Sequence, residues 1–155
     1  MLHARPLGPF SWNYRIFDDE TPVAVTERSW FREAGHLLLE EAAYTVTREK
    51  LLGGRFLLAC DDRVVASAEK PSAFRRRFEI DFAGERYVLR PASWASRRYV
   101  LCQNDRPVGS IRPARPFSRR ALADLPETLP LAFRVFVLWL VLLMWKRAAD
   151  QAGGA

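Results

Sequence analysis

The chain has 155 residues, 49% hydrophobic and 27% charged, with a formal net charge of +6. That is one domain's length with enough apolar residues for a core, which excludes a disordered chain. Two cysteines and two histidines exclude a disulfide scaffold and a four-cysteine zinc site, and they leave little for acid–base chemistry.

The first segment, Met1 to Trp12, has no long apolar stretch and carries Pro6 and Pro9. It does not read as a secretory signal, so the expectation is a cytoplasmic chain whose Cys60 and Cys102 stay thiols.

From Trp12 the chain repeats itself. Arg55 to Ser67 aligns without gaps on Arg98 to Ser110 at an offset of 43, and Phe74, Arg76 and Arg77 continue onto Phe117, Arg119 and Arg120. Upstream, Tyr44 and Val46 fall on Tyr87 and Leu89, and a fainter copy, Tyr14 to Ala24, precedes Phe56 to Ala66 by 42. Phe31-Arg32 resembles Phe74-Arg75 in the same way. A propeller has blades of similar period, but three are too few for one and the apolar C-terminal helix would have no place in it.

Each copy reads as a β-hairpin: an apolar run alternating with polar residues, an acidic turn, then a short valine-containing strand. The turns are Asp18-Asp19-Glu20, Asp61-Asp62 and Asn104-Asp105. Asx residues accept the left-handed backbone that tight hairpins need. Ala24, Ala66 and Gly109 after the valines leave room for a close neighbour. Gly53-Gly54 marks another turn. Phe78 to Phe82 alternates strictly, turns at Ala83-Gly84-Glu85 and returns through Arg86 to Arg90, giving a sheet with one wet face. The expectation is ten to twelve short strands over about 12–113.

The last element is different in kind. From Val135 to Trp145 there are eleven apolar residues with no polar face, and such a helix is buried on every side. Asp124 reads as a cap, Pro126 and Glu127 as the first turn, and Lys146-Arg147 as the C-terminal end, so the helix is expected over about 126–149 with a frayed tail at 150–155. The alternative is a tail anchor with 129–145 as a transmembrane segment; against it, the run is 17 residues with Arg134 inside, where a span needs about 20.

A sheet closed around the helix accounts for both features. The fold expected for the single domain, 1–155, is therefore a mainly β, closed antiparallel barrel around a buried apolar C-terminal helix. Repeated hairpins followed by the wholly apolar Pro130–Trp145 resemble the tubby C-terminal-like superfamily, which includes phospholipid scramblases and LURP-one-related proteins. The resemblance covers about Trp12 to Arg147 and implies a barrel threaded by a hydrophobic helix. No lipid-binding residue of that group maps onto this chain, which also lacks the proline-rich and cysteine-rich segments of scramblases.

Charge is uneven. Of 24 basic residues 21 are arginine, and Arg63 to Ala123 carries 14 basic against 5 acidic residues. Arg75, Arg76, Arg77, Arg97, Arg98, Arg115, Arg119 and Arg120, with Arg112 nearby, are the candidate phosphate- or lipid-headgroup-binding residues, because guanidinium forks match phosphate oxygens. Trp94, Tyr99 and Phe117 beside them fit a membrane interface or, as the weaker reading, base stacking. No nucleic-acid fold signature accompanies them.

No catalytic motif is present: no GxSxG, glycine-rich phosphate loop, HExxH or CxxC. Ser67 and Ser110 are repeat equivalents and read as structural. Cys60 and Cys102 sit one residue apart in the repeat register, hence on opposite faces. His36 reads as a strand-end residue, and Asp61, Asp62, Asn104 and Asp105 have turn spacing rather than calcium-loop spacing. The expectation is a non-catalytic barrel without metal or cofactor, meeting anionic lipid or a membrane surface. A small-molecule-binding barrel or enzyme is the further alternative.

Overall fold

A computed structural model describes residues 1–29, 33–49, 54–72 and 75–153. Phe31, Arg32 and Phe74, read above as parts of the repeat, and Gly53, read as part of a turn, lie outside the described residues. The strands are β1 (Leu2–Pro6), β2 (Tyr14–Asp18), β3 (Thr21–Ser29), β4 (Ala34–Leu39), β5 (Ala43–Glu49), β6 (Arg55–Cys60), β7 (Arg63–Glu69), β8 (Phe78–Phe82), β9 (Glu85–Pro91), β10 (Tyr99–Gln103), β11 (Arg106–Pro113) and β12 (Ala121–Asp124). They form a closed antiparallel barrel in sequence order, and a single helix, α1 (Leu131–Gly153), follows.

The repeat is the barrel's building unit. β2–β5 and β6–β9 are two copies, and β10–β12 become a third when β1 pairs with β12 through Leu2↔Ala123. Each copy places the same irregularity at the same point: the register shifts between Ile16 and Phe17, Leu58 and Ala59, and Leu101 and Cys102. A bulge bends and twists its strand, which is what closure into a barrel requires. At the hairpin tips Asp61 and Asp62 have φ of 50° and 63°, and Asn104 and Asp105 have 52° and 63°. The acidic pairs are therefore mirror-type turns.

Strands run from 2 to 124, beyond the expected 12–113. The two missed strands close the barrel. β1 and β12 are short and turn alanines inward (Ala4, Ala121, Ala123); β1 joins β2 through the longer loop 7–13 rather than a tight Asx turn, and its other partner, β12, lies at the far end of the sequence. The helix begins later than expected. Asp124 ends β12 instead of capping, Pro126 to Leu129 forms a turn, and the first helical bond runs from the Arg134 amide to the Pro130 carbonyl at 3.1 Å. At the other end residues 150–153 are helical, not frayed. His36 is the third residue of β4 and exposed, rather than at a strand end.

The helix fills the barrel. Every residue from Phe133 to Lys146 is buried, on all faces. Arg134 sits where the helix enters, its Nε donating to the Leu129 carbonyl at 2.9 Å. No helix among the described residues is long and apolar enough to cross a membrane, and the 129–145 stretch read above as a possible span is instead wrapped by strands. The wall around it is unequal. At one register position the three copies carry Gly35, Phe78 and Ala121, and the helix backbone approaches β4, the glycine strand, more closely than any other.

Candidate functional site

In an up-and-down barrel the connections alternate between two ends. One end holds the tight turns 19–20, 40–42, 61–62, 83–84 and 104–105 and the link 125–130. By sequence these carry eight acidic and no basic residues. The other end holds 7–13, 92–98 and 114–120 together with the described parts of the β3–β4, β5–β6 and β7–β8 connections, and these described residues include nine basic and one acidic, Glu33. The helix N-terminus lies at the acidic end and its C-terminus at the basic end, so each pole meets the helix dipole with the favourable sign.

Three loops of the basic end share one construction. In 7–13, 92–98 and 114–120 the first amide donates to the last carbonyl: Leu7 to Asn13 (2.9 Å), Ala92 to Arg98 (2.8 Å) and Ala114 to Arg120 (2.8 Å). Inside each, a turn closes from Ser11 to Gly8, Ser96 to Ser93 and Ser118 to Arg115. The serine Oγ then accepts from the amide two residues on, at 2.9–3.0 Å. The serine is a local backbone partner in every case. By barrel order the three loops stand side by side.

Arginines clamp each loop to the next. Arg76 donates to the Trp94 and Ser96 carbonyls, with its guanidinium 5.9 Å from the Tyr99 ring centre. Arg97 donates to the Ser118 carbonyl at 2.8 Å and lies 4.4 Å over Trp145, whose indole N–H in turn donates to the Arg97 carbonyl at 3.0 Å. Arg119 donates to the Gly8, Pro9 and Ser11 carbonyls and lies 5.5 Å over Trp12. These contacts satisfy loop carbonyls and place cations on aromatic faces.

The eight candidate arginines therefore divide. All lie on loops of the same end. Arg76, Arg97 and Arg119 are committed to the fold, while Arg75, Arg98, Arg115 and Arg120 are exposed, with no side-chain hydrogen bond or ion pair to any described residue. Arg77 is exposed, 4.0 Å from Glu79. Arg112 donates to the Pro113 carbonyl. Tyr99, read above as an interface aromatic, is wholly buried, and burial holds its phenol up at about 12.

Glu33 compensates the mouth of this end. It accepts from Arg147 at 2.5 and 2.9 Å and also from Arg48. Burial pushes its carboxyl upward, but the bond and charge of Arg147, with Arg48 and Arg28, outweigh that and hold it below the ordinary value of 4.5. A depressed carboxylate contributes stability above its unfolded pKa and loses it as pH falls through the folded one. Glu33→Gln is expected to cost about 1–2 kcal/mol at pH 7, a figure reduced for partial exposure. The gap from wild type should narrow below pH 4.5, read from urea midpoints across pH. A gap that persists unchanged in acid would contradict it.

At the acidic end an open cavity of about 480 Å³ lies between β3–β5 and the helix start, lined by Val23, Leu39, Glu40, Glu41, Tyr44 and Leu131, among others. No group of three or more metal-ligating side chains occurs among the described residues. Cys102 is buried and Cys60 half-buried, both free. The sequence reading missed the shared loops, although Pro9-Phe10-Ser11 and Pro116-Phe117-Ser118 are the same tripeptide. Their separation of 107 is no multiple of the repeat, because they join different strand pairs. No match to this chain is found among known protein families, curated proteins or solved structures.

Proposed function

We propose that this chain is a non-catalytic, tubby-like barrel that meets an anionic membrane surface with its arginine-rich end. The observation that carries the reading is the charge segregation: among the described residues, nine bases and one acid on the connections of one end, eight acids and no base on the other. A particle polarised this way is oriented by a negative surface before it touches. Among the described residues of its connections, Arg75, Arg77, Arg98, Arg115 and Arg120 are the exposed guanidiniums of that end, and each basic group near an anionic leaflet adds about 1 kcal/mol. The buried helix then serves as the core that holds the loops in place.

The experiment is co-sedimentation with vesicles. Wild type is expected to bind phosphatidylserine-containing vesicles at low salt and to leave pure phosphatidylcholine in solution. Replacing Arg75, Arg77, Arg98, Arg115 and Arg120 with Gln should weaken binding about tenfold or more, with an unchanged melting temperature. No binding at low salt, or equal binding by the variant, overturns the reading.

A further inference from the structure

Among the described residues the three largest exposures of bulky apolar side chains are Phe10 at 91%, Trp94 at 93% and Phe117 at 96%, and the next, Val64, reaches 52%. All three are central residues of the turns just described: Pro9-Phe10, Trp94-Ala95 and Pro116-Phe117, on three neighbouring loops of the basic end. We infer that Phe10, Trp94 and Phe117 enter the headgroup–acyl boundary of a membrane and seat the barrel with its helix C-terminus toward the lipid. The inference rests on the membrane reading above and adds what arginine alone does not supply, an apolar anchor.

Two features favour this use. First, the tips are held out by built supports. Arg76 and Arg119 pin the carbonyls at the same two loop positions, Trp94 and Ser96 in one case, Pro9 and Ser11 in the other. A pre-organised anchor loses little freedom on binding. Second, Phe117 has a φ of 64°. A type II turn with Pro at its first central position asks for glycine at the second, so a bulky ring there is a strained choice. Strain kept at an exposed tip points to a use for that ring.

The occupant follows from shape and charge. The rings stand on three separate loops, and exposed Arg98, Arg115 and Arg120 belong to two of those loops. A protein partner would have to receive three aromatic rings while pairing the cations carried on the same loops. A lipid interface takes separate aromatic wedges and supplies anions around each one.

The test uses the full chain and phosphatidylcholine vesicles containing phosphatidylserine, at low salt and at about 0.15 M salt, where the screening length is ~8 Å. The variant carries Phe10→Ser, Trp94→Ser and Phe117→Gly. It is expected to bind like wild type at low salt and about tenfold more weakly at the higher salt, where apolar anchoring carries more of the affinity. Its melting temperature should not fall, since Phe117→Gly relieves a strained turn. Separately, lipids brominated on the upper acyl chain should quench wild-type tryptophan emission more than that of Trp94→Phe. Trp139 and Trp145 are buried and common to both. If wild type binds but the triple variant binds equally at both salts and Trp94 is not quenched, the anchor is wrong while the charge reading stands. If wild type binds no anionic vesicle, both fall. If the triple variant instead loses a concentration-dependent dimer and keeps vesicle binding, the tips serve a second copy and the inference is overturned.

Discussion

Phe133→Ala is expected to lower the unfolding free energy by about 3–5 kcal/mol, the usual cost of emptying a phenyl site in a close-packed core. Phe133 is the third residue of the helix and fully buried. Its ring stacks on Phe82 with centres 4.3 Å apart and planes 15° from parallel, and it tilts against Tyr87 at 5.3 Å. Both partners belong to the β8–β9 hairpin, so this ring ties the entering helix to one wall of the barrel. The wall cannot collapse into the space, because each strand is held by two neighbours. The loss should appear as a lower urea midpoint at an unchanged slope, with a melting temperature roughly 10 °C below wild type. Phe133→Leu should recover more than half. A cost below about 1 kcal/mol would mean the helix is not docked in the barrel at all.

That docking is legible in the sequence, and the reason is physical. A run of apolar residues with no polar face has one requirement, burial all round, and a chain of short alternating strands offers one way to meet it. The alternation of Phe78 to Phe82 and the Asx pairs at 61–62 and 104–105 likewise encode strand face and turn type locally. What stayed hidden depends on distant partners. β1 closes the barrel because β12 lies beside it, and nothing within Leu2 to Pro6 says so. Arg76, Arg97 and Arg119 look in sequence like Arg75, Arg98 and Arg120. Only the carbonyls of the next loop separate clamps from exposed charges.

The charge pattern shows the same limit from another side. Read along the chain, the positive excess belongs to the stretch Arg63 to Ala123, since its strands and loops are counted together. Antiparallel strands sort alternate connections to opposite ends, and the sorted charges form two poles along the helix axis. The acids of the first half thereby join the turns at 61–62 and 104–105. Glu33 is the exception that fits: it occupies the repeat position of Arg76 and Arg119, and instead of clamping a loop it accepts Arg147 of the helix.

Gly35→Ala is expected to destabilise by about 2–4 kcal/mol, although a strand glycine replaced by alanine would ordinarily gain about 0.4–1 kcal/mol through the unfolded chain. The sign is decided by contact. A Cβ at position 35 would stand 2.4 Å from the Glu27 carbonyl oxygen and 3.4 Å from the Trp139 indole nitrogen. The other two copies carry Phe78 and Ala121 at this register, so the sheet itself accepts a side chain there. What forbids one at 35 is local: the β3 backbone is against it and the helix leans toward this strand. The two contacts are separable. Trp139→Phe removes the indole nitrogen and leaves the carbonyl, so a double-mutant cycle with Gly35→Ala should show a coupling under about 0.5 kcal/mol. A large coupling would assign the glycine to the helix rather than to the strand pair. A neutral or stabilising Gly35→Ala would mean that neither neighbour is where the geometry puts it.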